Sequence, residues 1–402
     1  MDVKNILLII TDYGSFNNFL SELSVYLNKE KTIKINVICS STKVISYKDK
    51  FDYSLYDINF HFIDIPRNFN IIKQLKASKR INNIIDKEKP DIIHAHFTTA
   101  IFTTLILKKR DSIIWGTFHG LGFPVSTGYK KLVFMLIEYY SFYKLAKIIV
   151  LNNFDYESIP KVFKHKLLKH KCLGLGTDLN KFDIKKFSLE KKTSLKNKFN
   201  IENQFVLAFT GRYVSFKGFD IMAKAFTNLS EKYKNKFKLI LIGGRDSIHT
   251  TGLSKNEENI FFNNPDLIEI GFTRDVNMYL SIVDLFIFPS KKEGVPISIT
   301  EALAMGIPVT TFNSRGCNDL IEDRVSGILI SENIGKAEAV KTFINTILEL
   351  YTNKDLYNKF KQNIIKNRQE LSRENFINEQ TKLYLEHLKI LDKENSVEKI
   401  LL

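Results

Sequence analysis

Only three cysteines, Cys39, Cys172 and Cys317, occur in 402 residues. They have neither the pairing pattern of a disulfide framework nor a metal-ligand spacing, so a reducing compartment and no bound metal are expected. Apolar residues never run to the roughly eighteen that a membrane-spanning helix needs. The N-terminal run Ile6 to Ile10 stops at Asp12 without a small-residue cleavage site and reads as a first strand rather than a signal peptide. A P-loop of the form Gly-x-x-x-x-Gly-Lys-Ser/Thr is missing. The loop from Thr11 to Ser15 holds one glycine, Gly14, so it is not a glycine-rich dinucleotide fingerprint. RNP, KH and zinc-finger signatures are missing as well, and the lysine-rich C-terminal helix therefore does not identify a nucleic-acid partner.

What is there is soluble and globular in composition, with 44% hydrophobic and 26% charged residues. The length suggests two domains. Formal net charge is +15, spread along the chain; such a surplus suits nucleic acid, an acidic substrate or an anionic membrane surface, and coding bias toward Lys, Asn and Ile is an equally simple origin. Apolar runs alternate with helical periodicity from the first strand (Asn5 to Thr11) to about residue 170, and the pattern restarts at Phe205. This predicts two parallel α/β layers. Residues 180 to 202, polar and without strong periodicity, read as the linker. The domains are placed at 1–185 and 186–375, with a C-terminal helix over 376–402 packing back on the first.

The second half centres on Asp284 to Val309. A buried strand there precedes a polar loop carrying Glu293, then a short helix starting after Pro296 and carrying Glu301. In a parallel layer, ligands sit beyond the strand C-termini, and a helix N-terminus favours an anion. Arg212 and Lys217 lie in a loop bounded by Gly211 and Gly218, also after a strand, and suit a diphosphate. Glu293 and Glu301 can act as a general acid and base, as in a hydrolase, or can accept hydrogen bonds from sugar hydroxyls; periodicity does not decide between them. In the first half, His119 follows a strand and precedes the mobile-looking Gly120-Leu121-Gly122. His94 and His96 share one side of their strand and suit packing or loop orientation. Thr127 to Lys147 has an aromatic centre flanked by lysines. It reads either as a helix buried against the sheet with snorkelling lysines or as an interfacial helix meeting an anionic bilayer. From 121 to 170 there are eight Lys against three acids, which favours the interfacial reading.

The segments Glu293 to Ala302 (E-G-V-P-x-S-x-x-E-A), Gly211 to Gly218 (G-R-x-x-x-x-K-G) and Gly174 to Phe182 (G-x-G-T-D-x-x-x-F) resemble retaining glycosyltransferase family 4. Thr117 to Phe123, followed by the aromatic helix bearing Glu138, is similar to bacterial members that extend undecaprenyl-diphosphate-linked glycans. The resemblance implies a GT-B architecture, α/β with two Rossmann-like domains facing across a cleft. It implies transfer of a hexose or N-acetylhexosamine from a UDP-sugar to a lipid-diphosphate-linked saccharide, for O antigen, capsule or a related glycan. The enzyme would act at the inner face of the cytoplasmic membrane, with no metal or other cofactor in the transfer. Under it Arg212 and Lys217 hold the donor diphosphate, Glu301 the ribose, and Glu293 sugar hydroxyls, assisted by the backbone of Val295, Pro296, Ile297 and Ser298. His119 faces the donor sugar, Gly14 and Ser15 line the donor and acceptor side, Gly243 adds to the donor pocket, and Phe272 and Thr273 hold the base. Two departures stand out: the first loop is glycine-poor, and Asn318 replaces a second arginine after Arg315.

Overall fold

The computed structural model describes residues 3–42, 49–68, 70–108, 112–172 and 174–401, with side chains to 389 in the last helix. The chain forms two compact units, Met1–Gly174 with Asn375–Leu402 and Leu175–Glu374.

Among the described residues the first unit has seven parallel strands: β1 (Asn5–Asp12), β2 (Lys34–Ser40), β3 (Ile58–Phe62), β4 (Ile92–His96), β5 (Ile114–Phe118), β6 (Lys147–Val150) and β7 (Leu167–Lys169). Their order is β3-β2-β1-β4-β5-β6-β7. Interleaved with them run α1 (Tyr13–Phe19), α2 (Ser21–Lys31), α3 (Ile71–Glu88), α4 (Thr98–Ile106), α5 (Gly128–Lys144) and α6 (Asn153–Ser158). The run Ile6 to Ile10 is fully buried, as a central parallel strand covered on both faces requires. Its register pairs Ile6 with Ile35 on one side and Ile92 on the other. Asn70 caps α3 by accepting from Lys73 N at 3.1 Å, and Lys89, left-handed at φ 44°, ends it. The basic stretch Tyr156 to His165 is divided between α6 and a 3-10 segment at Lys161–Lys166. Pro160 separates them because it lacks an amide donor and pushes Ile159 to extended backbone.

The second unit repeats the plan with β8 (Phe205–Tyr213), β9 (Phe237–Arg245), β10 (Leu267–Gly271), β11 (Leu285–Phe288), β12 (Val309–Phe312) and β13 (Gly327–Ile330), ordered β10-β9-β8-β11-β12-β13. Its helices are α7 (Leu189–Lys198), α8 (Phe219–Lys232), α9 (Lys255–Phe262), α10 (Val276–Leu280), α11 (Ile297–Ala304), α12 (Lys336–Thr352) and α13 (Lys354–Asn367), before α14 (Arg373–Leu401) closes the chain. Residues 180–202 carry α7 and are tied to this unit: the Arg368 guanidinium donates to Leu179 O at 2.6 Å and Phe182 O at 2.8 Å. From Asn375 onward α14 belongs to the first unit. There Tyr384 is fully buried beside His94, with its hydroxyl 2.5 Å from the ring Nδ1.

Candidate active site

In each sheet the strand order reverses beside the first strand of the unit, between β1 and β4 and between β8 and β11. That is where strand C-termini leave a crevice for ligands. In the second unit the β8 end presents Arg212 and Lys217, and the β11 end presents Glu293. Lys217 Nζ donates to Glu293 Oε1 at 2.6 Å, and Ser290 Oγ donates to the same oxygen at 2.7 Å. The two loops meet because Gly218, left-handed at φ 72°, lies against Pro289; a Cβ there would stand 1.9 Å from the Pro289 carbonyl oxygen. Gly243, on β9, serves a second close approach. A Cβ there would meet Gly211 O at 1.9 Å, so the β8–β9 pairing itself requires glycine.

Arg212 is exposed and bonds Asp246 Oδ2 at 2.6 Å, with its guanidinium over the Phe216 ring. That guanidinium, aided by the Ile248 and His249 donors, holds the Asp246 carboxyl far below the usual carboxylate range. An ion pair this open to water contributes little, so Arg212 can exchange Asp246 for another anion at small cost. Arg315 is buried, and its Nε donates to Glu293 O at 2.7 Å. It therefore shapes the Glu293 loop from behind. Asn318 bonds Asn313 at 3.0 Å. Val295 and Pro296 lead into α11, whose first turn, Ile297 and Ser298, has no side-chain cap; its amides are available to an anion or hydroxyl. Glu301 stands one turn further along, half-buried. Phe272 is exposed in the loop after β10, and Thr273 Oγ1 accepts from Asp275 N at 3.1 Å.

In the first unit Gly14 and Ser15 open α1, and Asp12 caps it, accepting from Ser15 N at 3.0 Å and Ser15 Oγ at 2.9 Å. Arg67 bonds the buried Asp12 carboxylate at 2.8 Å and balances its charge. His119 stacks on Phe97, with ring centroids 4.2 Å apart, and its Nε2 lies 3.2 Å from His96 Nδ1. The segment after it is pinned rather than mobile. Buried Glu138 accepts from Gly122 N at 2.8 Å, Phe123 N at 3.0 Å and Thr98 Oγ1 at 2.9 Å, and buried Asp155 accepts from Leu121 N at 3.2 Å. His96, Glu138, Asp155 and Asp246 thus serve the candidate residues without a sequence motif of their own. A lone acid in an aromatic helix was the one available signal, at Glu138.

Burial pushes the His94 and His119 imidazoles down to about 3, and His96 well below its ordinary value; neighbouring histidine charges add to the effect at His94 and His96. The sign follows from proton uptake. A histidine kept neutral when folded and ordinary when unfolded adds stability above about 6.5, and that stability is lost as pH falls toward 3. The expected result is a thermal midpoint that drops steadily between pH 7 and pH 5, before most carboxylates titrate. In His94→Asn the drop should be shallower, read by scanning fluorimetry across that range.

On α5 the two sequence readings divide by face. Ile137, Glu138, Ser141 and Phe142 are buried. Tyr129, Leu132, Leu136 and Tyr143 are 79%, 55%, 71% and 69% exposed, alongside exposed Lys130, Lys131 and Lys144. Lys108 and Lys166 donate to the helix's terminal carbonyls, of Lys144 at 3.2 Å and Tyr143 at 2.8 Å, which gathers positive charge at that end. No helix among the described residues is long and apolar enough to cross a membrane.

Two such parallel-sheet units, with a cation loop and an acid loop meeting at the second switch point, define a GT-B type α/β fold. The chain belongs to the glycosyltransferases: residues 6–152 match the family model "Glycosyl transferase 4-like", and residues 191–367 match "Glycosyl transferases group 1". It is 28% identical over 345 residues, 84% of each chain, to the Escherichia coli UDP-Gal:alpha-D-GlcNAc-diphosphoundecaprenol alpha-1,3-galactosyltransferase. It is 26% identical to the Staphylococcus aureus capsular polysaccharide biosynthesis glycosyltransferase CapM, over 78% of this chain and 80% of that one. The crystal structure of Anabaena HepE in complex with UDP and glucose superposes with a TM-score of 0.70 at 16% identity, covering 94% of this chain and 99% of that one, a likeness of fold.

Proposed function

We propose that the protein is a retaining glycosyltransferase that moves a hexose or N-acetylhexosamine from a UDP-sugar to an undecaprenyl-diphosphate-linked saccharide, in O-antigen, capsule or related glycan synthesis. The observation that carries the reading is the Lys217–Glu293 contact beside Arg212 and the uncapped start of α11. It supplies two cations for a leaving nucleoside diphosphate and a fixed carboxylate for sugar hydroxyls. As the glycosidic bond to the diphosphate breaks, negative charge grows on the leaving oxygen, and Arg212 and Lys217 stabilise it. These two cations take the part a metal ion would otherwise play, so no metal enters the transfer in this reading. Glu301 takes the ribose hydroxyls, the loop carrying Phe272 and Thr273 the base, and His119, neutral at physiological pH, a hydroxyl of the transferred sugar. Glu293 Oε1 already accepts from two donors, which suits a positioning carboxylate better than a general acid. Retention is supported by the E. coli relative, whose name pairs UDP-Gal, an α-linked donor, with an alpha-1,3 product.

The lipid-linked acceptor is supported by that relative's name and by the α5 face. An apolar stripe with lysines at its rim suits an anionic bilayer surface, where the enzyme would meet its acceptor. Leu132→Glu/Leu136→Glu is expected to lower flotation with phosphatidylglycerol-containing vesicles at least tenfold, with an unchanged thermal midpoint. Equal flotation of the wild type and the double variant would remove α5 from the membrane contact. Failure of the wild type to float at all would favour a soluble acceptor.

A further inference from the structure

Within the first unit the chain leaves β7 through His170, Lys171 and Cys172 and meets Glu379 of α14. The ligand atoms of His170, Cys172 and Glu379 all lie within 4.8 Å of one another. His170 is 2% exposed. Its Nε2 lies 3.1 Å from Gln380 Oε1, and the other ring nitrogen, Nδ1, faces Glu379. That Nδ1 has no hydrogen-bond partner and lies 3.6 Å from Glu379 Oε2. A buried ring nitrogen without a hydrogen-bond partner thus faces a carboxylate oxygen inside the fold, with a thiol beside them. A cation held between the three would satisfy all of them.

We infer that His170, Cys172 and Glu379 form a binding site for a divalent cation of the zinc class, which clips the exit of β7 to α14. Nitrogen, sulfur and carboxylate oxygen are the three ligand types zinc takes, and a fourth position is left toward solvent, since Cys172 and Glu379 are only half-buried. Glu379 is already oriented for the task, because its carboxylate accepts from Lys171 N at 2.8 Å and Cys172 N at 3.2 Å. Ligand atoms around tetrahedral zinc stand about 3.5 Å apart. Closing from the present spacing takes a turn of the Cys172 side chain away from Gly174 O, which its sulfur now contacts at 3.3 Å. On binding, the thiol gives its proton to solvent and the sulfur lone pair goes to the metal. Cysteine spacing alone could not reveal this site, because Glu379 is 207 residues from Cys172 in the chain.

The test uses the purified full chain, stripped with chelator and titrated with Co²⁺ and Zn²⁺ alone. Near-UV thiolate-to-Co²⁺ absorption saturating at about one ion per chain is expected, with displacement by Zn²⁺ and a raised thermal midpoint. Cys172→Ser should lose the absorption, although Cys39 and Cys317 are still present. Glu379→Gln keeps an acceptor for the backbone amides and should weaken binding at least tenfold. No thiolate band at saturating Co²⁺ would overturn the site. So would an undiminished band in folded Cys172→Ser.

Discussion

Lys217→Ala is expected to lower kcat/KM by about 10²- to 10³-fold, the usual loss when one donor to a developing oxyanion is removed, with no change in thermal midpoint. The side chain does two things at once. It carries charge toward the diphosphate position, and it binds Glu293 Oε1 at 2.6 Å. Removing it leaves an uncompensated carboxylate facing the site of an incoming dianion, so donor binding should weaken along with turnover. Lys217→Arg, which keeps the charge, should recover part of the rate. If Glu293→Ala is combined with Lys217→Ala, the two losses should fall short of additive, because one interaction is shared. Initial-rate kinetics on the wild type and the four variants measure all of this. Full activity in Lys217→Ala would show that the diphosphate is held elsewhere.

Glu138→Ala should cost about 2–5 kcal/mol of stability. The carboxylate is fully buried and receives the amides of Gly122 and Phe123 as well as the Thr98 hydroxyl. Alanine leaves two inward-facing amides without an acceptor and frees the segment that follows His119. Burial raises the Glu138 pKa even against those donors, so the charge is costly and is kept for what it holds. Hydrogen exchange over residues 119–126 should accelerate strongly in Glu138→Ala and moderately in Glu138→Gln, which retains one acceptor oxygen. Unchanged exchange would mean the loop is fixed by packing alone, for instance by the Phe134 ring against Gly122.

Local patterns made much of this legible in the sequence. The strands of both sheets announce themselves as apolar runs because parallel strands are covered on both faces. Arg212, Lys217 and Glu293 were recognisable because each sits just past such a run. What escaped depended on distant partners. Residues 180–202 look like a linker by composition, yet Arg368, far along the chain, grips their start. α13 is rich in Lys and Asn, and only Tyr357, Phe360 and Ile364 are buried. Gly120-Leu121-Gly122 looks mobile until Glu138 and Asp155 are placed beneath it. The link from Arg315 Nε to the Glu293 carbonyl spans two loops and has no local signal in the sequence. The face of α5 could not be chosen from sequence, since aromatic residues occupy both sides and only packing shows which are left outside.

The central claim is tested most directly by offering UDP-, GDP- and dTDP-sugars to the purified protein with an undecaprenyl-diphosphate-linked saccharide, and determining the anomeric configuration of the product by NMR. The account predicts transfer from a UDP-hexose or UDP-N-acetylhexosamine to the lipid-linked acceptor, with the donor's α configuration retained and the product lost in Lys217→Ala. An inverted β linkage would contradict it. So would hydrolysis of the donor without transfer, or transfer that survives Lys217→Ala undiminished.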